Sequence, residues 1–517
     1  MHSTSISVSK STIMPSHIKR TWILLLCILF AGVSSCKKFL ATYSQNDSFV
    51  ESAADLDELL VGEVYTDYQL FYTPEMLHLM DDDIAAVIPE GNNSNTVLQG
   101  TGFHYWQAQP RITTDGKIVT NDIFFNSLFS KIAHINSILH IVPSLQEKGE
   151  PAATLKRISG EALFLRAFYY FMLVNTYGKP YTPATASTDF GVPLKTDPAI
   201  KDQFVARNTT RQVYDQVIAD LLEAEKALAG ANASSTIRVN QAAAQAFLSR
   251  VYLYMENYEK AVYYADQVIN TSTYHLKDLN TYNTGDNFLN NKDEEVIFTM
   301  RTNYIISVIM ALDYDIPPTI AYKASEDLIL GYSPADLRLQ VFFQRNSRGE
   351  MRVTKRRTQG GPSTDDVGDI FLLRLSETYL NKAEALAALD RSEEARNTLQ
   401  EFRKTRFKPS ELPPVNATGE ALVNTIRDER RLELCFEAHR WFDLRRYGVN
   451  SKYPFSKSIT HRSVVFGGNG YIDNGYYELG PYEQDAAAYV VPIANDEIEF
   501  NNGLLTNEPR PARPLKQ

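Results

Sequence analysis

Two stretches of the chain carry apolar residues at the spacing of paired, antiparallel helices. The first, residues 240–269, places Leu248, Tyr252, Tyr258, Ala261, Ala265 and Val268 at these positions. The second, residues 372–406, places Leu386, Ala395, Leu399 and Phe402 there. Small alanines let two helices approach closely, and large side chains fill the groove between them, as in tetratricopeptide repeats. Ala261 and Ala395 lie far more than one repeat length apart, which excludes a simple tandem array.

Helical periodicity covers about 120–270 and about 370–447, and two less regular regions interrupt or follow it. The first, about 271–369, is rich in Asn, Asp, Gly and Tyr, and the second spans about 451–487. We therefore predict a mainly α fold of tetratricopeptide-like helix pairs, with long looped insertions that carry minor β structure. Loops held on a rigid scaffold are the usual place for binding residues.

The N-terminus has the pattern of an export signal. Lys10, Lys19 and Arg20 precede an apolar run at 22–33, which is too short to cross a bilayer as a mature anchor. The small residues before Cys36 resemble a bacterial lipobox. We predict a signal peptide over 1–35, lipidation of Cys36 and a single body over 36–517. Only Cys435 then remains as a thiol, which excludes an intrachain disulfide and a thiolate metal cluster.

The net charge and the absence of catalytic motifs argue against several classes of function. The chain has a net charge of −10, which argues against nucleic-acid binding. It contains no Walker loop, G-x-S-x-G, H-E-x-x-H or C-x-x-C motif, so the sequence indicates neither an enzyme nor a cofactor. The run of three aspartates at 81–83 could bind Ca²⁺ with neighbouring carbonyls, but we favour a solvated loop or a helix cap. No metal site is predicted.

Four ordered segments carry a family resemblance. They are 160–181, which ends in Tyr-Gly-x-Pro; 371–406, with an Arg-x-x-Glu pattern; 427–448; and 489–509, which contains Pro-Ile. Together they resemble the SusD/RagB family of outer-membrane lipoproteins of Bacteroidota. Three residues depart from the family pattern: Ala438, where glycine is usual, Ala494 and Glu508.

The resemblance implies a fold and a function. It implies a mainly helical, tetratricopeptide-like protein that is lipid-anchored at the surface of the outer membrane. Such proteins act as lids on a SusC-like, TonB-dependent transporter and deliver oligosaccharides to it. They bind without catalysis and need no cofactor. In some members the same scaffold captures peptides or another nutrient, and this alternative stays open.

Glycan capture needs flat aromatic faces for sugar C–H groups, with amides and charged donors for hydroxyls. Aromatic residues in polar, turn-rich segments are the candidates, and Tyr105 with Trp106 is predicted to form a stacking platform. The full set of predicted ligand-binding residues is Tyr68, Tyr72, Tyr105, Trp106, Arg111, Tyr471 and Tyr476.

The segment 427–448 is dense in charge and is predicted to be scaffold rather than site. As one helix it would present Leu432, Cys435, Phe436, His439 and Phe442 on one apolar face, with further apolar residues on another. The pairs predicted within it are Arg430–Glu433, Glu437–Arg440 and Arg440–Asp443. Buried carboxylates need cationic partners, so we expect an internal ion-pair lattice that also draws arginines from adjacent helices.

Overall fold

The computed structural model describes residues 50–65, 75–92, 94–199, 203–231, 235–283, 287–300, 322–345, 349, 351–355, 367–368, 370–468 and 470–517. Within it, Ser52–Gln517 forms one compact unit. Cys36, Tyr68 and Tyr72 lie outside the described residues, so their predicted roles stay predictions. Of the helices described, none combines the length and apolar character that a membrane crossing requires.

Helices dominate the described residues, and the predicted mainly α class is confirmed. The first half contains α1 (Ala53–Leu59), α2 (Glu75–Leu79), α3 (Asn95–His104), α4 (Ile123–Glu147), α5 (Ala152–Tyr177), α6 (Thr210–Ala227), α7 (Gln241–Tyr254) and α8 (Tyr258–Ile269). The second half contains α9 (Glu326–Gly331), α10 (Arg338–Phe342), α11 (Leu375–Ala388), α12 (Ser392–Arg403), α13 (Gly419–Leu434), α14 (Arg440–Gly448), α15 (Tyr482–Asp485) and α16 (Asn495–Phe500).

Successive helices pack side by side, and α5 lies at the centre of the first half between α4 and α6. From Gly160 to its end, α5 is almost wholly buried, so it has no solvent face. A Cβ on Gly160 would lie 2.8 Å from Leu228 Cγ and 2.9 Å from Ala227 Cβ. Glycine at this position therefore lets α6 approach α5 closely.

The two helix pairs predicted from the sequence are α7–α8 and α11–α12. Ala261 and Ala395 are fully buried, and Ser249 Oγ of α7 donates to the carbonyl of Ala261 in α8 at 2.9 Å. Both pairs turn through a residue with positive φ, Glu256 (59°) in the first and Asp390 (62°) in the second. The shared turn geometry supports the prediction of two related units, and α8 packs directly on α11.

The β structure is minor, as predicted, and the described residues include four small sheets. The strands are β1 (Ile84–Ala86), β2 (Ile88–Pro89), β3 (Val296–Thr299), β4 (Tyr322–Ala324), β5 (Phe343–Arg345), β6 (Met351–Val353), β7 (Leu372–Arg374), β8 (Ile459–Gly467) and β9 (Gly470–Leu479). Antiparallel pairs join β1 to β4, β3 to β7, β5 to β6 and β8 to β9, and β2 runs parallel to β8. The region 451–487, predicted as looped, therefore contains a long hairpin.

The prediction of one continuous helix over 427–448 is wrong. Helix α13 ends at Leu434 and α14 begins at Arg440, with a tight turn between them. Phe436 (φ 61°) and Ala438 (φ 57°) both adopt the left-handed region. Glycine adopts this region without strain, which explains why it is usual at the position of Ala438 in proteins that this segment resembles. A helical periodicity cannot reveal such a break when the turn residues are not glycine or proline.

The predicted ion-pair lattice exists, but none of the three predicted local pairs is among the ion pairs of the described residues. Glu433 accepts from Arg374 (2.6 Å), Arg406 (2.8 Å) and Arg338 (3.1 Å), all from other elements. Glu437 pairs with Arg374 at 2.9 Å.

The turn at 435–439 breaks the helical spacing only between Glu437 and Arg440. Both arginines of the predicted pairs take partners from other elements: Arg430 pairs with Asp443 of α14 at 2.8 Å, and Arg440 pairs with Asp82 at 2.6 Å.

Candidate functional site

A groove of about 540 Å³ opens among the described residues. It lies between the β1–β4 sheet, the start of α9 and strand β8, and we call it the strand groove. The residues that line it are 82, 84–87, 323, 325–327, 457–462, 464 and 471. Its volume falls within the range of about 300–1,000 Å³ that ligand sites occupy.

Strand β8 forms one wall of the strand groove by simple alternation. Ile459 and His461 are buried, whereas Thr460 and Arg462 are exposed on the opposite face, as expected for a strand with one solvated side. The register shifts between Arg462 and Val464, so that Val464 also lines the groove. The wall therefore carries a hydroxyl, a guanidinium and an apolar surface in sequence along one strand, and the guanidinium of Arg462 is ion-paired with Asp473 of β9.

Aromatic surface comes from β9. Tyr471 lines the strand groove and is 50% exposed, and its ring meets that of Phe466 edge-on with centroids 5.1 Å apart. Tyr476 pairs with Arg462 across the strands and is half-buried beside the groove rather than in its lining. Of the predicted ligand-binding residues, these two are the ones that the structure brings close to the strand groove in accessible positions.

The opposite wall carries charges that the sequence analysis did not single out. Lys323 faces the groove from β4, where it pairs with Ala85 of β1, and it is half-buried. Ser325 caps α9 by accepting from the amide of Leu328 at 3.2 Å. Glu326 follows in the first turn of α9. Within the described part of the chain, neither Lys323 nor Glu326 has an ion-pair partner.

Asp82 joins the strand groove to the scaffold. Arg440 donates to both of its carboxylate oxygens, at 2.6 and 2.8 Å, and Lys457 lies 2.6 Å away. Burial raises the pKa of Asp82, but Arg440 and Arg431 outweigh it and hold that pKa well below its usual range. Lys457 also lies 3.5 Å from Asp327 and so links the loop before β8 to α9.

The interpretation of 81–83 as a solvated loop or cap is wrong. Asp81, Asp82 and Asp83 are all buried, and Asp83 pairs with Arg431 at 2.7 Å. Burial and the neighbouring Asp83 and Asp82 carboxylates raise the pKa of Asp81 well above its usual range. Two arginines of the 427–448 segment, Arg431 and Arg440, neutralise the cluster, which sequence spacing could not show because the partners lie about 350 residues away.

Beneath the strand groove lies a stack of aromatic rings. Trp106 packs on His461 with ring centroids 4.2 Å apart, and His461 packs on His104 at 4.0 Å. Burial lowers the pKa of His461 to about 4, although the carbonyls of His104 and Asp81 face its two ring nitrogens and favour the proton. The stack supports β8 from below and keeps an uncharged ring there at neutral pH.

The predicted stacking platform at Tyr105 and Trp106 is wrong as an exposed surface. Trp106 is fully buried, and its indole Nε1 donates to the carbonyl of Met80 at 2.9 Å. Tyr105 is also buried and stacks on Tyr477 at 4.3 Å, and burial raises its pKa to about 12. The chain turns through a positive φ of 47° at Trp106, which directs this segment inward.

Arg111 lies away from the strand groove. It forms a buried ion pair with Asp122 and donates to the carbonyl of Pro492 at 2.5 Å. It contributes to a second, smaller pocket instead. The groove residues that sequence reasoning missed are Lys323, Ser325, Lys457, Thr460 and Arg462. The polar and apolar alternation over 459–462 is the one signal that could have revealed part of this set.

Comparisons with known proteins identify the family. A SusD-like family model, described as starch-binding and associating with the outer membrane, matches residues 38–253. A second model, of the SusD family, matches residues 344–509. The two matches together span most of the chain.

Two SusD-like proteins of Formosa agariphila are similar to this chain. P38 is 27% identical over 56% of this chain and 65% of its own length, and P2 is 25% identical over 68% of this chain and 74% of its own length. The chain thus spans slightly less than two thirds of the length of P38.

Solved structures show the same fold. A SusD superfamily protein of Bacteroides thetaiotaomicron superposes with a TM-score of 0.69 at 23% identity, covering 89% of this chain and 100% of that one. A SusD-like carbohydrate binding protein of Bacteroides vulgatus gives a TM-score of 0.64 at 18% identity, covering 87% and 97%. With two family matches and this fold, the chain belongs to the SusD/RagB family of carbohydrate-binding outer-membrane proteins.

Proposed function

We propose that this protein binds oligosaccharides in the strand groove. One observation carries the proposal: the half-exposed ring of Tyr471 shares the groove with Thr460, Arg462 and Lys323. A tyrosine face suits the C–H side of a sugar ring, and hydroxyl and cationic donors suit its hydroxyl groups. The combination of one half-exposed ring and several polar side chains is the chemistry that saccharide capture requires.

Charge in the groove favours an uncharged saccharide. The cationic side chains in its lining are Lys323, Lys457 and Arg462, and the anionic ones are Asp82, Glu326 and Asp327. Their charges cancel, so the groove gives no net attraction to a polyanion. The uncharged hydroxyl groups of a saccharide therefore suit this groove best. Lys323 can donate a hydrogen bond to them, and Glu326 can accept one.

We further propose that Cys36 carries a lipid that anchors the protein in the outer membrane, at the cell surface. There it would deliver its saccharide to a SusC-like, TonB-dependent transporter without catalysing a reaction. Membership of a family associated with the outer membrane supports this arrangement. Replacing Cys36 with Ser should release the protein from the membrane fraction, and affinity purification of the wild type should retain a TonB-dependent barrel. Two results together would contradict this part of the proposal: Cys36→Ser stays in the membrane fraction, and no barrel copurifies with the wild type.

The test of the groove is binding by the purified protein. The protein is first screened on a glycan array and on a peptide library, because peptide capture is the alternative function. Titration calorimetry then measures the affinity for the ligands that these screens identify. We expect a neutral oligosaccharide to bind and Tyr471→Ala to weaken it about tenfold, since an aromatic contact contributes about 1–1.5 kcal/mol.

Tyr263→Ala is the matched control, because Tyr263 is 57% exposed on α8 and lies outside the groove lining. It should leave affinity unchanged. Peptide binding without any glycan hit would replace the proposal with the peptide alternative. Equal affinity of the wild type and Tyr471→Ala for a bound glycan would remove the strand groove as the site.

A further inference from the structure

A second pocket, of about 100 Å³, lies between α3 and the start of α4. It shares no lining residue with the strand groove. We call it the α3 pocket, and the residues that define it here are Gln99, Phe103, Arg111, Asn121, Asp122 and Ile123. None of the functions proposed above uses it.

The base of the α3 pocket is held rigidly. Asp122 caps α4 by accepting from the amide of Phe125 at 3.2 Å, and it also accepts from Tyr177 Oη at 2.6 Å and from Arg111. Arg111 is fixed in turn by the carbonyl of Pro492. The Arg111–Asp122 pair is thus hydrogen-bonded to α4, to α5 and to the segment that contains Pro492. The base of the pocket is therefore preorganised, and a ligand has little of it left to order on binding.

The lining of the α3 pocket carries no net charge. Arg111 and Asp122 are its charged side chains among the described residues, and they neutralise each other in a buried ion pair. An anionic or cationic ligand would find no unmatched partner there. The pocket is therefore suited to an uncharged ligand.

Two amides at the α3 pocket retain unused hydrogen-bonding groups. Asn121 Oδ1 accepts from Asn126 Nδ2 at 2.8 Å, and within the described chain the Asn121 Nδ2 group has no acceptor. Gln99 is exposed on α3, and its amide contacts no hydrogen-bonding partner in the residues that the structure describes. Exchanging the oxygen and nitrogen positions of either amide would still leave one group available.

Apolar surface completes the α3 pocket. The ring of Phe103 is half-buried in its wall, with the Arg111 guanidinium over one ring face at 5.6 Å from the centroid, and Ile123 is 44% exposed at the edge of the pocket. Flat apolar surface beside amides that can donate and accept is the pattern that a single pyranose ring requires, with its C–H face on the wall and its hydroxyls on the amides.

We propose that the α3 pocket binds one uncharged sugar ring, with Gln99 and Asn121 contacting its hydroxyls and Phe103 and Ile123 its apolar face. This is a second saccharide site, distinct from the strand groove. It does not require the strand groove to bind saccharide, so either site can fail alone. When both bind one polysaccharide, the second contact becomes intramolecular and raises the overall affinity without new surface.

The experiment uses methyl NMR of the full chain labelled at isoleucine δ1 methyls. The probes are methyl α-D-glucopyranoside, methyl α-D-galactopyranoside, methyl α-D-mannopyranoside and methyl β-D-xylopyranoside, with glucuronate as the charged comparison. A ligand of this size that makes a few good contacts binds at about 1–10 mM. We expect at least one neutral glycoside to shift the Ile123 methyl saturably in that range and to leave Ile269 unchanged.

Variants separate the site from the fold. Gln99→Ala combined with Asn121→Ala should weaken the Ile123 response at least fivefold. Gln146→Ala, an exposed glutamine on α4 outside the pocket lining, should change nothing. Gln99 and Asn121 are exposed, so the variants should keep the wild-type melting temperature.

Three results would overturn the proposal. They are no Ile123 shift with any probe at about 50 mM, far above the expected dissociation constants; an undiminished shift in the Gln99→Ala, Asn121→Ala variant; and equal binding of glucuronate. Tyr471→Ala should not alter the Ile123 response. If the Ile123 methyl responds normally but Tyr471→Ala does not weaken oligosaccharide binding, the strand groove is rejected as a saccharide site. The α3 pocket then stands as a site by itself.

Discussion

The lattice around Glu433 and the strand groove contain the same kinds of charged residue, but they differ in how completely those charges are paired. The lattice consists of Glu295, Asp336, Arg338, Arg374, Arg406, Glu429, Glu433 and Glu437, and all its members are buried. Every carboxylate in it contacts at least one arginine, and Glu433 contacts three. In the groove, Lys323 and Glu326 have no ion-pair partner among the described residues.

This difference separates structural charge from charge available to a ligand. A buried ion whose partners are all protein groups has no capacity left for a ligand, and its loss exposes the remaining partners to an apolar interior. A partly exposed ion without a partner contributes little to stability but can bind a ligand group. High charge density alone, as in 427–448, therefore does not identify a binding site.

The largest expected effect is in the lattice. Glu433→Ala would leave Arg338, Arg374 and Arg406 without their shared carboxylate, and breaking a buried ion pair costs about 3–5 kcal/mol. We expect the free energy of unfolding in guanidinium to fall by that amount. Glu401→Ala, which removes an exposed partner of Lys404, should change it by less than about 0.5 kcal/mol. Unchanged stability together with lost saccharide binding would show that Glu433 belongs to the site.

Acid should affect the buried histidines beneath the strand groove and the buried, arginine-paired carboxylates of the scaffold in different pH windows. Burial lowers the pKa of His461 to about 4 and that of His104 well below its usual range. Their contribution to stability is present above the unfolded histidine pKa of about 6.5 and is lost as pH falls toward the folded value. For His461 alone this amounts to about 3 kcal/mol by pH 4.

The carboxylates respond at lower pH. Burial raises the pKa of Glu384, but Arg446 prevails and holds it at about 2, so its contribution persists until pH falls below the unfolded carboxylate range, about 4.3. Asp81 acts in the opposite direction, because its raised pKa stabilises the protonated form. Urea unfolding of wild type and His461→Gln from pH 7 to 4 isolates the histidine. Parallel curves for the two proteins would contradict the assignment.

The sequence allowed the helical part of the fold to be predicted because its signal is local. Alanines and large apolar residues at helical spacing identified α7–α8 and α11–α12, and the structure places Ala261 and Ala395 at the predicted contacts. Tyr471 was predicted on similar grounds, as an aromatic residue in a polar segment, and it does line the strand groove. Local composition was sufficient in these cases.

Contacts between distant segments could not be predicted. Asp82 meets Arg440, and β2 pairs with β8, across more than 350 residues. The same limit explains the error at Trp106: its polar neighbours suggested a surface loop, but His461, distant in sequence, covers its ring. Lys323 gave no signal, because a single lysine in a polar region is unremarkable until the structure shows that it faces a cavity without a partner.

Loss of a partly exposed but ion-paired side chain should lower the free energy of unfolding by an intermediate amount. Lys457 is one-third exposed and contacts Asp82 and Asp327, but Asp82 retains Arg440 when Lys457 is lost. We expect Lys457→Met to lower the free energy of unfolding by about 1 kcal/mol, which is the scale of a partly exposed ion pair. Chemical denaturation measures this. If the free energy of unfolding fell as much as it does for Glu433→Ala, the charge of Lys457 would be part of the structural lattice rather than of the groove.

The smallest effect on stability is expected at Lys323. It has no carboxylate partner in the described part of the chain, so Lys323→Met should change the free energy of unfolding by less than about 0.5 kcal/mol. Oligosaccharide affinity should nevertheless fall roughly fivefold, since a charged hydrogen bond in a partly solvated groove contributes about 1 kcal/mol. Lys404→Met, exposed on α12, should alter neither quantity. If Lys323→Met instead destabilised the protein strongly and left affinity intact, an unpaired charge would no longer distinguish binding residues from structural ones.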